Sequence, residues 1–273
     1  MIKNEQTRKA TIMNTFNTVA GGYDSPALCF FSKSAKHISA CLNLRGNEQI
    51  LDAATGTGVV ALELARQLPH GKVTGIDLSE AMLAQAKMKA EALKVLNVHF
   101  IEMDMQSLNF PDNHFDAVTC AFGIFFVEDM ENQLKHISQK VKSGGKIIIS
   151  TFCDGSFAPM SELYSDLIQK YGIERPSAPW KRISTEDKSA ALLKSAGLID
   201  IQVIKKDVGY YLKTAKEWWN VIWNAGFRRY VNQLSAPDLP KFRKEHLAEI
   251  AKLATKSGIW LEVKVLYGVG TRP

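Results

Sequence analysis

The chain has 273 residues, 46% of them hydrophobic and 23% charged, a composition that suits one elaborated globular domain or two small ones. Its longest apolar run, Cys120 to Val127, is far below the roughly 20 residues of a spanning helix, and MIKNEQTRKATIMNTF lacks the apolar core of a secretory signal, so a cytoplasmic protein without integral membrane contact is expected. The net charge of +6 is spread among alternating acidic and basic residues, as in Lys241-Phe242-Arg243-Lys244-Glu245, which argues against a nucleic-acid partner, and Cys29, Cys41, Cys120 and Cys153 form no close ligand pair, so no metal is expected.

From about residue 50 to 152, apolar runs alternate with helical patterns, the order of right-handed βαβ units around a parallel sheet and so an α/β architecture. Strands are predicted at 49–53, 72–77, 98–102, 115–121 and 146–152, and helices at 59–68, 79–93 and 131–141. Ser79 is a suitable N-cap, and Ser143-Gly144-Gly145 a left-handed stop for the third helix. The rhythm then changes to helices at 159–171 and 185–196 and a strand at 199–208. Thr214-Ala215-Lys216-Glu217 has the capping-box pattern and opens a long helix to about 231; a Pro237/Pro240 break, a helix to 256 and a strand at 260–269 follow.

Leu51-Asp52-x-x-x-Gly56-x-Gly58 falls where the first strand turns into the first helix, and glycines there let a ligand approach the backbone. Gly56-x-Gly58-x-x-Ala61 with Asp77 also satisfies a dinucleotide fingerprint, so the glycines alone leave NAD and S-adenosylmethionine (SAM) both open. Three carboxylates at successive strand ends favour SAM. Asp52, close to the loop, would repel a pyrophosphate and attract a cationic amino group. Asp77 can accept from ribose hydroxyls with Leu78 beside the adenine, and Asp104 can accept from the adenine amine while Met105 packs on the ring.

These segments resemble the class I SAM-dependent methyltransferases, most of all the UbiE-like branch of quinone biosynthesis. ILDAATGTG resembles the first motif, with Ala54 where the usual first glycine stands, GIDLSEAMLAQAK the second, and MDMQSLNFPDNHFDAVTCAFGI the third and fourth. Phe16-x-x-Val19-Ala20-x-x-Tyr23-Asp24 resembles the N-terminal segment whose tyrosine closes over the cofactor. The resemblance, good over roughly 12–152, implies a Rossmann-like sheet of seven strands with the last antiparallel and SAM as cofactor. It further implies an N-terminal helical segment at 1–48 covering the cofactor and a SAM-binding core at 49–152. The strands of 153–273 would belong to the same domain and carry a helical substrate lid at about 212–257. Carried over position by position, the cofactor contacts are Tyr23, Asp52, Ala54, Thr55, Gly56, Gly58, Asp77, Leu78, Met82, Asp104, Met105, Ala121 and Phe122.

Methyl transfer from a sulfonium is an in-line displacement that needs alignment and water exclusion, and a base only where the nucleophile must lose a proton. After the fourth strand the chain reads Ala121-Phe122-Gly123-Ile124-Phe125-Phe126-Val127. The Asn/Asp-Pro-Pro-Tyr motif of nucleic-acid amino methylation is absent. So are the histidine that many small-molecule members show near Phe126 and the Arg-Asn pair of the quinone enzymes at about Phe125-Phe126, and no base is assigned. The apolar residues here predict a small aromatic, quinone-like or lipid-like acceptor. Trp219, Trp223, Phe227 and Tyr230 recur at i, i+4, i+8 and i+11, a stripe that either packs as core on the sheet or forms the lid and touches substrate. Candidate substrate contacts are His37, Phe126, Tyr211, Trp219 and Trp223, with His37 and His246 as the histidines to test as bases. Two other readings stand beside this one: an NAD(P)-dependent oxidoreductase, and a SAM-binding protein without transfer chemistry.

Overall fold

The structure, a computed structural model, describes residues 2–273. The chain divides into two compact units that interleave in sequence. Residues 31–154, 179–206 and 265–273 form a sheet unit, and residues up to 30, 155–178 and 207–264 form a helical unit. Contiguous reading cannot show this, because segments far apart in sequence are brought together in each.

Helix α2 (Phe30–Leu42), the second of the chain after α1 (Ile2–Val19), belongs to the sheet unit from Phe31 onward. Strands β1 (Gln49–Ala53), β2 (Lys72–Asp77), β3 (Val98–Glu102) and β4 (Phe115–Ala121) match the predicted ranges residue for residue. Inner strands of a parallel sheet are covered on both faces and therefore read as apolar runs, which is why they are so legible. Between them, α3 (Val59–Ala65) ends earlier than expected, and α4 (Glu80–Ala92) is capped by Ser79, whose Oγ accepts the Met82 amide at 3.1 Å. Helix α5 (Met130–Lys140) runs straight into β5 (Val141–Phe152). The predicted glycine stop is instead part of a strand: the register against β4 shifts between Phe115 and Ala117, and Gly144, at φ +77°, supplies the left-handed residue this irregularity needs. Helix α7 (Glu186–Ser195), β6 (Ile199–Asp207) and β9 (Lys264–Thr271) complete the unit.

The strand order is β3-β2-β1-β4-β5-β9-β6. Strands β1 to β5 are parallel, and β9, the last of the chain, runs antiparallel to β5 with Ile148 opposite Val269, as the resemblance implies. Leu51, Ile76, Val118, Ile147 and Ile149 pack with Leu134 and Ile137 of α5 into one buried core. The order reverses at β1, flanked by β2 and β4, which opens a crevice at the carboxyl ends of these strands.

The helical unit holds α1, α6 (Met160–Lys170), α8 (Ala215–Asn224), α9 (Arg228–Val231) and α10 (Asp238–Ala251), with a two-stranded sheet of β7 (Tyr210–Leu212) and β8 (Ile259–Leu261). Trp218, fully buried, donates its indole N–H to His246 Nε2 at 2.8 Å, and Tyr164 Oη donates to the Phe227 carbonyl at 2.9 Å. Two expectations are corrected here. The long helix from Thr214 breaks at Ala225, whose extended backbone (φ −130°, ψ −174°) separates α8 from α9, and Thr214 makes no side-chain cap, although Glu217 does accept the Lys213 amide at 2.7 Å. The closing strand is two strands, because Glu262 and Val263 bond instead to the amides of Phe157 and Val208. Among the described residues no helix is long and apolar enough to cross a membrane.

Candidate functional site

Four loops of the sheet unit meet at the carboxyl ends of β1 to β4. The loop after β1 has two unlike sides. At Gly56, φ +56°, nothing stands within 4 Å of where a Cβ would be, whereas at Gly58, φ +76°, a Cβ would meet the Phe100 ring at 2.8 Å and Ala86 at 3.0 Å. Gly56 therefore presents backbone to an open side, and Gly58 lets the start of α3 pack closely on β3 and α4. The Gly56 amide donates to Asp77 Oδ2 at 2.8 Å, the Gly58 amide to the Thr55 carbonyl at 2.9 Å, and the Thr55 amide to Ile76 of β2 at 2.8 Å.

Asp52 faces inward rather than towards the crevice. It is 1% exposed, and its two oxygens accept the hydroxyls of Thr55 and Thr119, each at 2.6 Å. Burial pushes its pKa up to about 6 against the pull of those two bonds. Burial also raises Asp77, opposed by the amides of Ser79 and Gly56 that it accepts. Asp104 caps the 3-10 turn Met105–Ser107 by accepting the Gln106 amide at 2.9 Å.

Ala54 and Phe122 are both non-glycine residues in the left-handed region, at φ +56° and +54°. Such a backbone costs on the order of 1 kcal/mol and persists where the surroundings enforce it. They do so here: a Cβ at Gly123 would lie 2.7 Å from that of Ala54, and the Phe122 amide donates to the Ser150 carbonyl at 3.1 Å. The loops after β1 and β4 thus touch. The Phe122 ring stacks on Phe152 at 4.6 Å and receives the edge of Phe31 at 5.3 Å, while Trp180 meets Phe152 edge-on at 5.9 Å. Phe126 is half-buried beside the buried Phe125, and no ionisable side chain occurs from Ala121 to Val127.

The sequence candidates sort by exposure. Ala54, Gly56, Asp77, Leu78, Asp104, Met105, Ala121 and Phe122 are half-buried and line the crevice ends of the strands. Asp52, Thr55, Gly58 and Met82 are buried beneath them. His37 stands six residues along α2 from Phe31, a rise of about 9 Å, with its ring 5.7 Å from Tyr267 and its pKa lowered by burial and then by Lys206. The remaining candidates belong to the helical unit. Tyr23 packs edge-on to Phe16 at 6.1 Å, Tyr211 is exposed against Trp260 at 5.0 Å, and Trp219 is buried between Trp223 and Phe242. His246 is fully buried, accepts from Trp218, and has its pKa lowered to about 4 by burial. Sequence reasoning missed Thr119, which shares a face of β4 with Ala117 and Ala121 and could have drawn notice there, and Phe31, Phe152 and Trp180, which carry no local signal.

Residues 50–145 match the family model described as a methyltransferase domain. The chain is 30% identical over 166 residues to the ubiquinone/menaquinone biosynthesis C-methyltransferase UbiE of Psychromonas ingrahamii, covering 59% of this chain and 66% of that one. It is 44% identical over 105 residues to the demethylmenaquinone methyltransferase of Thermus thermophilus, covering 38% of this chain and 47% of that one. The chain thus spans less than two thirds of the length of these curated relatives. In structure it resembles the YcgJ protein of Bacillus subtilis, with a TM-score of 0.60 at 20% identity over 88% of this chain and 98% of that one, a likeness of fold. The matched segment holds a methyltransferase domain, built around the crevice at the carboxyl ends of β1 to β4. Over the aligned residues the chain is similar to the UbiE enzymes.

Proposed function

We propose that this chain transfers the methyl group of SAM to a small apolar or aromatic acceptor. The observation that carries the choice of cofactor is the bond from the Gly56 amide to the Asp77 carboxylate. A dinucleotide would need that amide for its pyrophosphate, and here a carboxylate already takes it, with the neighbouring Gly58 amide satisfied inside the loop. An anion is repelled at this point, while SAM, which carries an ammonium and a sulfonium and no phosphate, is not. In this reading the half-buried residues from Ala54 to Phe122 touch the cofactor. Asp52, Thr55, Gly58 and Met82 hold the loop from beneath, and Asp52 acts through two threonine hydroxyls rather than by meeting the ammonium itself.

When bound, SAM would supply an electrophilic methyl group for in-line displacement, with S-adenosylhomocysteine as the leaving group, and the half-buried residues from Ala54 to Phe122 would hold it in line with the acceptor. The chain's part is to align and to exclude water. The aromatic group of Phe122, Phe152, Phe31 and Trp180 supports a flat, greasy acceptor, and the uncharged Ala121 to Val127 segment suits one that arrives already deprotonated. The names of the relatives make a quinone-like ring the first acceptor to try.

Calorimetric titration with SAM, S-adenosylhomocysteine and NAD tests the cofactor, and methyl release against a panel of phenols and quinones tests the transfer. Binding of the first two without NAD is expected. Preferential NAD binding overturns the proposal in favour of an oxidoreductase, and SAM binding without release across the panel reduces the chain to a SAM-binding protein.

A further inference from the structure

We infer that Gln133, together with His136, is a positioning residue for the turn that reads the adenine ring of SAM, an inference that rests on the cofactor reading above. The turn in question, Met105–Ser107, is a single 3-10 turn closed by one backbone bond, from the Ser107 amide to the Asp104 carbonyl at 2.9 Å. Such a turn holds its shape poorly alone. Helix α5 fastens it at both ends. Gln133 Nε2 donates to the Met105 carbonyl at 2.6 Å, and the Leu108 amide donates to His136 Nε2 at 3.3 Å.

Gln133 and His136 lie three residues apart and so share one face of α5. Beside them, Met130, Leu134 and Ile137 point inward and pack as core. Gln133 is also buried, at 5% exposure, but spends its amide on a backbone carbonyl 28 residues away in sequence. A leucine would serve packing there equally well, so what the glutamine adds is the fixed orientation of the Met105 peptide. That peptide, Met105–Gln106, serves both groups assigned to the base. Its N–H, on Gln106, donates at 2.9 Å to the Asp104 carboxylate, which accepts the exocyclic amine, and its carbonyl end belongs to Met105, whose side chain is further steadied by the Cys120 thiol at 4.0 Å. Gln133 and His136 act through the turn and themselves touch no ligand.

The test compares wild type with Gln133→Leu, His136→Leu and His136→Gln, measuring dissociation constants for S-adenosylhomocysteine and for S-inosylhomocysteine, in which an oxo group replaces the adenine amine, with thermal unfolding alongside. Wild type should prefer the adenosyl ligand. Gln133→Leu should weaken that ligand by about tenfold while leaving the inosyl ligand nearly unchanged, so that the preference narrows. His136→Leu should narrow it less, and His136→Gln, which keeps an acceptor for the Leu108 amide, should restore it. A merely structural role would lower the melting temperature and weaken both ligands in equal proportion, which overturns the inference, as does an unchanged preference in every variant. Should Gln133→Leu fail to fold, the half-exposed His136 pair carries the same comparison. Wild type that binds neither ligand refutes the cofactor reading itself; wild type that discriminates while the variants discriminate equally refutes this inference alone.

Discussion

His246 gives the fold a pH dependence that can be worked out from its surroundings. The ring is fully buried between Tyr164 and Phe242, and Nε2 accepts the Trp218 indole N–H at 2.8 Å, so a proton there would break that bond and leave a charge in the core. Burial lowers the pKa from 6.5 to about 4. Between those values the unfolded chain holds a proton that the folded chain refuses, so stability is complete above about pH 6.5 and drains as pH falls towards 4. The loss totals about 3 kcal/mol, at no more than about 1.4 kcal/mol per pH unit. His246→Gln keeps an acceptor for the indole and removes the titration. Denaturant unfolding followed by tryptophan fluorescence suits the measurement, because Trp218, Trp219, Trp223 and Trp260 lie in the helical unit and Trp180 alone lies in the other. Wild type should lose about 3 kcal/mol relative to His246→Gln between pH 7 and pH 4. A difference that stays flat over that range would refute the reasoning, since it would mean the ring takes its proton as readily folded as unfolded.

Asp52 should behave in the opposite sense in the sheet unit: its pKa is raised from 3.8 to about 6, so the folded chain holds the extra proton and this contribution favours folding increasingly as pH falls through 6. Asp52→Asn should abolish that dependence, read by hydrogen exchange at β1 and β4. Asp77→Asn replaces one accepting oxygen with a donor facing either the Gly56 or the Ser79 amide, and calorimetry should show S-adenosylhomocysteine binding weakened by about tenfold or more. Gly58→Ala places a methyl 2.8 Å from Phe100 at φ +76° and should cost about 1–3 kcal/mol in denaturant unfolding; a cost near zero would show that the loop can relax. Trp219→Ala empties a buried site beside Phe242 and should cost about 3–5 kcal/mol, with a matching fall in melting temperature.

The crevice at the carboxyl ends of β1 to β4 was largely legible because its parts are local. The inner strands β1, β2 and β4 are buried and read as apolar runs, and the edge strand β3 (Val98–Glu102), with fewer buried positions, still carries Val98, Phe100 and Ile101. Each crevice residue sits within a few positions of a strand end. What escaped reading is what depends on distant partners. The aromatic period from Trp219 to Tyr230 continues across the break at Ala225 because periodicity registers side-chain faces and not backbone continuity. The run from Trp260 to Val269 is mostly apolar, yet it serves two sheets, a division set by Tyr211 opposite Trp260 and Ser150 opposite Tyr267. The orientation of Asp52 was likewise hidden. A carboxylate beside a glycine loop looks available to a cation until Thr119, from a different strand, is seen to occupy it. Gln133 carries no signal at all, since a glutamine in an amphipathic helix is ordinarily a surface residue.

The place of β9 between β5 and β6 bears on how the chain must be made. A ribosome delivers β6 before the stretch from Tyr210 to Val263, and only then the strand that alone joins β6 to the rest of the sheet. Until β9 emerges, the nascent sheet shows water the unpaired amides and carbonyls along one side of β5, an invitation to any other extended segment nearby. Closure is therefore a late event of high sequence separation, slow by its topology, and a polypeptide stalled before Lys264 should depend on chaperones where the finished one does not.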